Sequence, residues 1–447
     1  MRSGSHTIDM LNGPLLPKMI AFALPLAFAS ILQQLFNATD IAIVGRFTDN
    51  GMAAVGANSP IVNILIGFCS GLAVGVNVHV AGLIGRHEEK RVSHAIHTIF
   101  FLGIMAGVLV GGTGIILSSS ILHLMGAPED VFSDALAYLR IYCLGVPFAM
   151  LYNFASAVLR SRGDTRRPLY ALALSGVVNI ILNLFFVVVC GIGVKGVAIA
   201  TDIASAMSAW IVLRILLKEE SIPFPFRNVF IHRLLIGRIC RIGLPAAFQG
   251  MLFSISNMFV QSAINSFGTD AIAGNTAALN YEIMSYYIAL AIGQTVVTFT
   301  SQNLGAGNLD RCKKSYYICM ALSCGILFSI NTIVVIFGRT FLSFFTTSES
   351  VMEYGLMRFH IALLLHVLIC SYEITAGALR GYGYAMLPTV ISIIGTCLLR
   401  PMWIMTYFRA HHTMESLLMV YPVSWVVTGI AMLTAYHYCM ARLHKEK

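Results

Sequence analysis

Twelve stretches of about twenty or more mostly apolar residues run through this 447-residue chain, each long enough to cross a bilayer as a helix. They fall near 18–45, 53–82, 95–119, 132–159, 168–190, 194–217, 239–266, 271–301, 315–338, 352–379, 386–408 and 415–441. Short polar loops separate them, with one longer basic stretch from Lys218 to Arg241. No water reaches the hydrocarbon layer, so backbone polar groups there must bond within their own segment, and these runs can only be helices. The expected fold is an all-α membrane protein of twelve transmembrane helices.

The charge inventory points the same way. Only 11% of residues are charged, against roughly 25% in a soluble domain, too few for a hydrated surface. The net charge of +9 does not mark a nucleic-acid binder, because the basic residues sit in clusters between the apolar runs. Of 29 Lys and Arg residues, 22 fall on one side of the membrane. Only Arg46, Lys195, Arg339 and Arg409 fall on the other, and Arg140, Arg358 and Arg400 lie within spans. The positive-inside rule then puts both termini in the cytoplasm, which requires an even number of spans. Met1 to Pro17 is polar and does not read as a signal peptide, so the first span is expected to anchor the chain itself. The ten cysteines are scattered with no C-x-x-C pair, as expected of free thiols packed among apolar side chains.

The two halves repeat each other at an offset near 220. Pro25-Leu-Ala-Phe28 returns as Pro245-Ala-Ala-Phe248, Asn37 as Asn257, and Arg91 as Arg311. Leu159-Arg160-x-x-Gly163-x-x-x-x-Pro168 returns as Leu379-Arg380-x-x-Gly383-x-x-x-x-Pro388. Six spans per half give two parallel bundles related by a pseudo-two-fold axis along the membrane normal, an arrangement suited to a transporter. The expected division is a bundle over 1–217, a cytoplasmic linker over 218–238 and a second bundle over 239–447.

Ionisable groups within spans cost a few kcal/mol on insertion scales and mark candidate function. Gln33, Asn37 and Asp40 share one face of span one; Ser175, Asn179 and Asn183 make a polar stripe along span five. Thr201 and Asp202 lie on span six. At about 1.5 Å per residue, Asp40, Asn183, Thr201 and Asp202 all lie about 9–12 Å from the outer ends of their spans. Such a level of oxygen-bearing side chains suits a hard cation such as sodium, or a proton on Asp40; a hydrogen-bond network that only packs helices is the simpler alternative. In the second half, Glu282, Glu373 and Arg400 are the in-span charges of interest. Glu282 and Arg400 reach similar depth and are expected to be able to pair. Val260 stands where Asp40 stands in the first half, and Tyr281, Met284, Tyr286 and Tyr287 flank Glu282.

Three stretches carry a family resemblance: Gln34-Leu-Phe-Asn37-Ala-Thr-Asp40-Ile-Ala-Ile-Val-Gly45-Arg46, Leu159-Arg160-Ser-Arg-Gly163-Asp164-Thr165, and Gln302-Asn303-Leu304-Gly305-Ala306-Gly307-Asn308 followed by Arg311. Together they resemble the multidrug and toxic compound extrusion (MATE) family over nearly the whole chain. The resemblance implies a cation-coupled antiporter that expels organic, often cationic, compounds while protons or sodium ions enter. It also implies a coupling site, able to take sodium, on Asp40, Asn179, position 183 and Thr201. The family pattern has Asp at 183; this chain has Asn183 there and Asp202 beside Thr201. Gln34, Asn37, Glu282, Glu373 and Arg400 are the candidates for substrate binding or a second coupling site. A seventh-span carboxylate of some relatives has no counterpart, Phe253 standing near that place.

Pro25 removes a backbone hydrogen bond and is the expected hinge of span one. The reading is a monomeric, multi-pass plasma-membrane antiporter with small organic substrates, the bilayer as its surroundings, no nucleic-acid partner and no cofactor beyond its coupling ion. The alternative is a lipid-linked oligosaccharide flippase of the same superfamily, whose cavity would carry several basic residues. An enzyme is not expected, since His94 and His97 have no carboxylate partner at ligand spacing and no nucleophile elbow occurs. The chain also lacks the G-x-x-x-x-G-K-[ST] loop of an ATP-driven pump.

Overall fold

A computed structural model describes residues 7–48, 51–126, 128–218 and 233–445. Among these there is no strand, and twelve helices are long and apolar enough to cross a membrane. They are α1 (Leu15–Phe47), α2 (Gly51–Gly85), α3 (Glu89–Leu124), α4 (Glu129–Ser161), α5 (Arg166–Val189), α6 (Gly193–Leu217), α7 (Arg233–Asn265), α8 (Thr269–Gly305), α9 (Leu309–Ile336), α10 (Glu349–Gly381), α11 (Met386–Phe408) and α12 (Met414–Leu443). Every apolar run is thus a helix. Most overrun the apolar stretch because backbone bonding continues into the polar flanks, where nothing breaks it. α7 starts inside the linker expected at 218–238, and residues 219–232 of that linker lie outside the described residues.

The chain divides into two compact units. The first comprises Leu24–Ala247 with the N-terminal segment ending at Gly13, the second Phe248–Lys447 with Pro14–Ala23. The breaks fall beside Pro25 and Pro245, which lie inside α1 and α7. In the first unit, α4 packs against α2, α3 and α6 around a core that includes Val76, Val80, Ile96, Ile99, Phe154 and Val212. In the second, α8 packs against α9 and α10, with Ala277, Leu342, Phe359 and Leu363 fully or nearly buried. The ten cysteines are free thiols, seven of them buried.

The internal repeat is visible in backbone geometry. After α4, Asp164 N–H bonds Leu159 O at 3.0 Å, and after α10, Tyr384 N–H bonds Leu379 O at 2.9 Å. Gly163 and Gly383 sit at φ +90° and +92°, the left-handed conformation that ends a helix this way. The loops after α2 and α8 match as well: His87 at φ +59° stands where the second half has Gly307 at φ +78°.

Three spans depart from regular α geometry. α5 ends in a π-helical turn at Phe185–Val189. α10 passes through π and 3₁₀ turns between Phe359 and Leu368. α11 carries π turns at Ile393–Leu398 and Ile404–Phe408, on either side of Arg400. Such turns shift the face that a helix presents, which a straight-helix reading of the sequence does not foresee.

Candidate functional site

The polar groups of α1, α5 and α6 meet in one hydrogen-bonded ring. Asn179 and Asn183, one turn apart, present their amides on the same face of α5. Asn183 donates through Nδ2 to Asp40 Oδ1 at 2.5 Å and to Asn179 Oδ1 at 3.2 Å. Asn179 Nδ2 reaches Thr201 Oγ1 at 3.4 Å, and Thr201 Oγ1 lies 3.4 Å from Asp40 Oδ2. Thr201 has one proton and sits closer to Val197 O, at 2.9 Å, so its hydroxyl mainly satisfies its own helix. The principal donor to Asp40 is therefore the Asn183 amide. Asp40 is 8% exposed, Asn183 0% and Asn179 4%, while Thr201 is half-buried. Its oxygens form a hard donor set, and Asn183 Oδ1 is buried with no hydrogen-bond partner.

Asp40 also borders a cavity of about 360 Å³ within the first unit. Gln34, Asn37, Thr201 and Asp202 line it, with Ile41, Val55 and Leu65 supplying apolar wall. Tyr138, Tyr142 and Gly145 of α4 line it too. Among its described lining residues there are two carboxylates and no Lys, Arg or His. Asp202 shares the cavity but not the ring: its carboxylate lies against Gly145, where an ideal Cβ would overlap Oδ1.

In the second unit, the expected pairing of Glu282 with Arg400 does not form. Glu282 Oε2 accepts from Arg358 Nε of α10 at 3.0 Å, with Nη2 in ion-pair contact at 2.8 Å, while Arg358 Nη1 donates to Asn275 Oδ1 at 2.6 Å. The reason is geometric: α8 packs directly on α10, and Arg358 ends the regular part of that helix just before its π turn. Arg400 has neutral partners instead. It donates to Asn257 Oδ1 at 2.7 Å and stacks over Phe253 at 5.2 Å and Tyr421 at 4.8 Å. Glu373 is buried against Gly293, within electrostatic reach of Arg380. Tyr281 donates to Phe341 O at 2.8 Å and packs edge-on against three phenylalanines, half-buried beside the core of that unit. Pro25 lies within α1 as expected.

Sequence reasoning missed Arg358, Tyr138, Tyr142 and Gly145. The first was set aside as one more in-span base, although a buried Arg always demands a partner. The other three stand at i, i+4 and i+7 on α4, a spacing that marks one face.

A helical membrane protein built from two sequence repeats defines a class. Within that class, the MatE family model matches residues 25–185 and again residues 245–405, in the 220-residue register of the repeats. The chain belongs to the MatE family. It is 29% identical to the probable multidrug resistance protein YoeA of Bacillus subtilis, across 84% of this chain and 83% of that one. It is 26% identical to the probable multidrug resistance protein NorM of Thermotoga maritima, across 84% and 82%. Among solved structures, an outward-facing multidrug resistance MATE transporter superposes with a TM-score of 0.89 at 21% identity, covering 98% of this chain and 99% of that one. A Pyrococcus furiosus transporter of the MOP superfamily gives 0.88 at 21% identity, over 98% of each chain. These likenesses establish the fold.

Proposed function

We propose that the protein is a secondary antiporter that exports organic, often cationic, compounds in exchange for protons or sodium ions by alternating access. The observation that carries this reading is the ring around Asp40, a buried carboxylate set in the wall of an acidic cavity. The names of the Bacillus and Thermotoga relatives, both multidrug resistance proteins, support the export of foreign compounds.

In the structure the Asn183 amide donates to the Asp40 carboxylate. A proton on Asp40, or a sodium ion held by the oxygens of Asp40, Asn179, Asn183 and Thr201, neutralises that carboxylate. The Asn183 amide then turns over so that its oxygen faces the new positive partner. This loosens the bond between α1 and α5, and Pro25 lets the inner part of α1 bend. The bending of α1 reshapes the cavity, lowers its affinity for the substrate on the outward-facing side and releases it outward. The absence of Lys and Arg among the described cavity residues weighs against a lipid-linked oligosaccharide cargo. The protein acts in the plasma membrane with both termini cytoplasmic, as a monomer and with no cofactor beyond the coupling ion.

Ethidium uptake into inverted vesicles, with sodium and proton gradients imposed separately, tests the reading. The wild-type protein accumulates ethidium against its gradient under one of the two. Asp40→Asn binds substrate but does not concentrate it; an Asp40→Asn protein that still pumps uphill would overturn the coupling role.

A further inference from the structure

Two carboxylates line one cavity, and their surroundings differ. Asp40 is engaged by the Asn183 amide and is closed in by α5 and α6. Asp202 takes no side-chain hydrogen bond among the described residues. It is half-buried, and its carboxylate fills the room that Gly145 leaves on α4. Tyr138 and Tyr142 project from the same face of α4 as Gly145. Their rings lie 6.1 Å apart with planes 19° from parallel, and both line the cavity. Tyr138 is within electrostatic reach of both carboxylates, and Tyr142 of Asp202.

A carboxylate withdrawn from water without donors is costly unless a positive partner arrives. No cationic side chain is present among the described lining residues to supply one. A negative group next to two aromatic faces suits an organic cation, which offers its charge to the acid and its apolar rim to the rings. The cavity volume is in the range that holds a drug-sized ligand. Binding the same ligand at Asp40 would instead require breaking a 2.5 Å bond to a fully buried amide.

We propose that Asp202, with Tyr138 and Tyr142, anchors the cationic head of the exported compound, and that Asp40 is left to the coupling ion. Gly145 is the positioning residue that gives the Asp202 carboxylate its place. This assignment rests on the export reading above and divides its two acids by task.

Equilibrium binding of tetraphenylphosphonium to the purified full chain, at fixed pH and with no gradient, tests it. Asp202→Asn weakens binding by about tenfold or more, the loss of one charge–charge contact in a partly dry site. Asp202→Glu, which restores the charge, retains more binding than Asp202→Asn, and Asp40→Asn weakens binding severalfold less than Asp202→Asn does. Gly145→Ala keeps the acid but displaces it, so it weakens binding even if Asp202→Asn proves unstable. In vesicles, Asp202→Asn raises the KM for ethidium with little change in limiting rate, whereas Asp40→Asn loses uphill transport with a smaller change in KM. Equal binding by Asp202→Asn and wild type overturns the assignment, as does equal weakening by Asp40→Asn and Asp202→Asn. A wild-type protein that binds neither cation overturns the export reading itself; one that binds both while Asp202→Asn is unaltered overturns only the division of labour.

Discussion

Arg358 and Glu282 show what a buried charge requires. Both are at most 7% exposed, and among the described residues they form an ion pair with each other. Removing one partner of such a pair leaves the other stranded, at a cost of about 3–5 kcal/mol. Arg358→Met is therefore expected to lower the thermal unfolding midpoint of the purified protein sharply, and the double change Arg358→Met, Glu282→Gln to recover most of the loss. Equal midpoints for the single and double variants would show that the pair is not coupled. The same logic explains which residues were legible. Asp40, Asn179, Asn183 and Thr201 were readable because polar atoms at helical spacing in an apolar span have to meet something. Gly145 was not, since a glycine signals its role only through the neighbour that occupies its missing side chain.

At the scale of elements, the contact between α1 and α5 sets the geometry of the ring. Phe36 of α1 lies over Gly176 of α5, where an ideal Cβ would run into the ring. That close approach is what brings Asp40 within reach of Asn183 two turns along. Gly176→Val pushes the helices apart, so ethidium efflux is expected to fall severely, and a second change, Phe36→Ala, to restore part of it. If Gly176→Val pumps normally, the spacing of α1 and α5 is not what holds the ring. Helix identity and span count were plain from the apolar runs, because a membrane leaves the backbone almost no alternative. Partner choice in the second half was not. Arg400 was matched to Glu282 by estimated depth alone, but depth along a straight helix says nothing about azimuth, and the π turns of α10 and α11 change it.

For the whole molecule, the sorting of basic residues to one side of the membrane carries the topology. The twelve spans among the described residues are an even number, and the distribution of Lys and Arg makes the cytoplasm the proposed side of both termini. A green fluorescent protein fused after Lys447 should fluoresce, and alkaline phosphatase at the same position should be inactive; the opposite pair of results would invert the orientation. The duplication, legible in loop motifs, recurs in the paired left-handed glycines at 163 and 383 and in the doubled family match. The chemistry does not follow that register. Asn37 and Asn257 occupy matching positions, yet Asn37 borders an acidic cavity and Asn257 holds a guanidinium. On the proposed reading, the ion chemistry sits in only one of the two copies of the scaffold. The second copy keeps its turns and helix ends, which folding demands, while its interior is free to drift as far as the opposite charge. What is inherited across the repeat is a shape, and each half has acquired its own polarity.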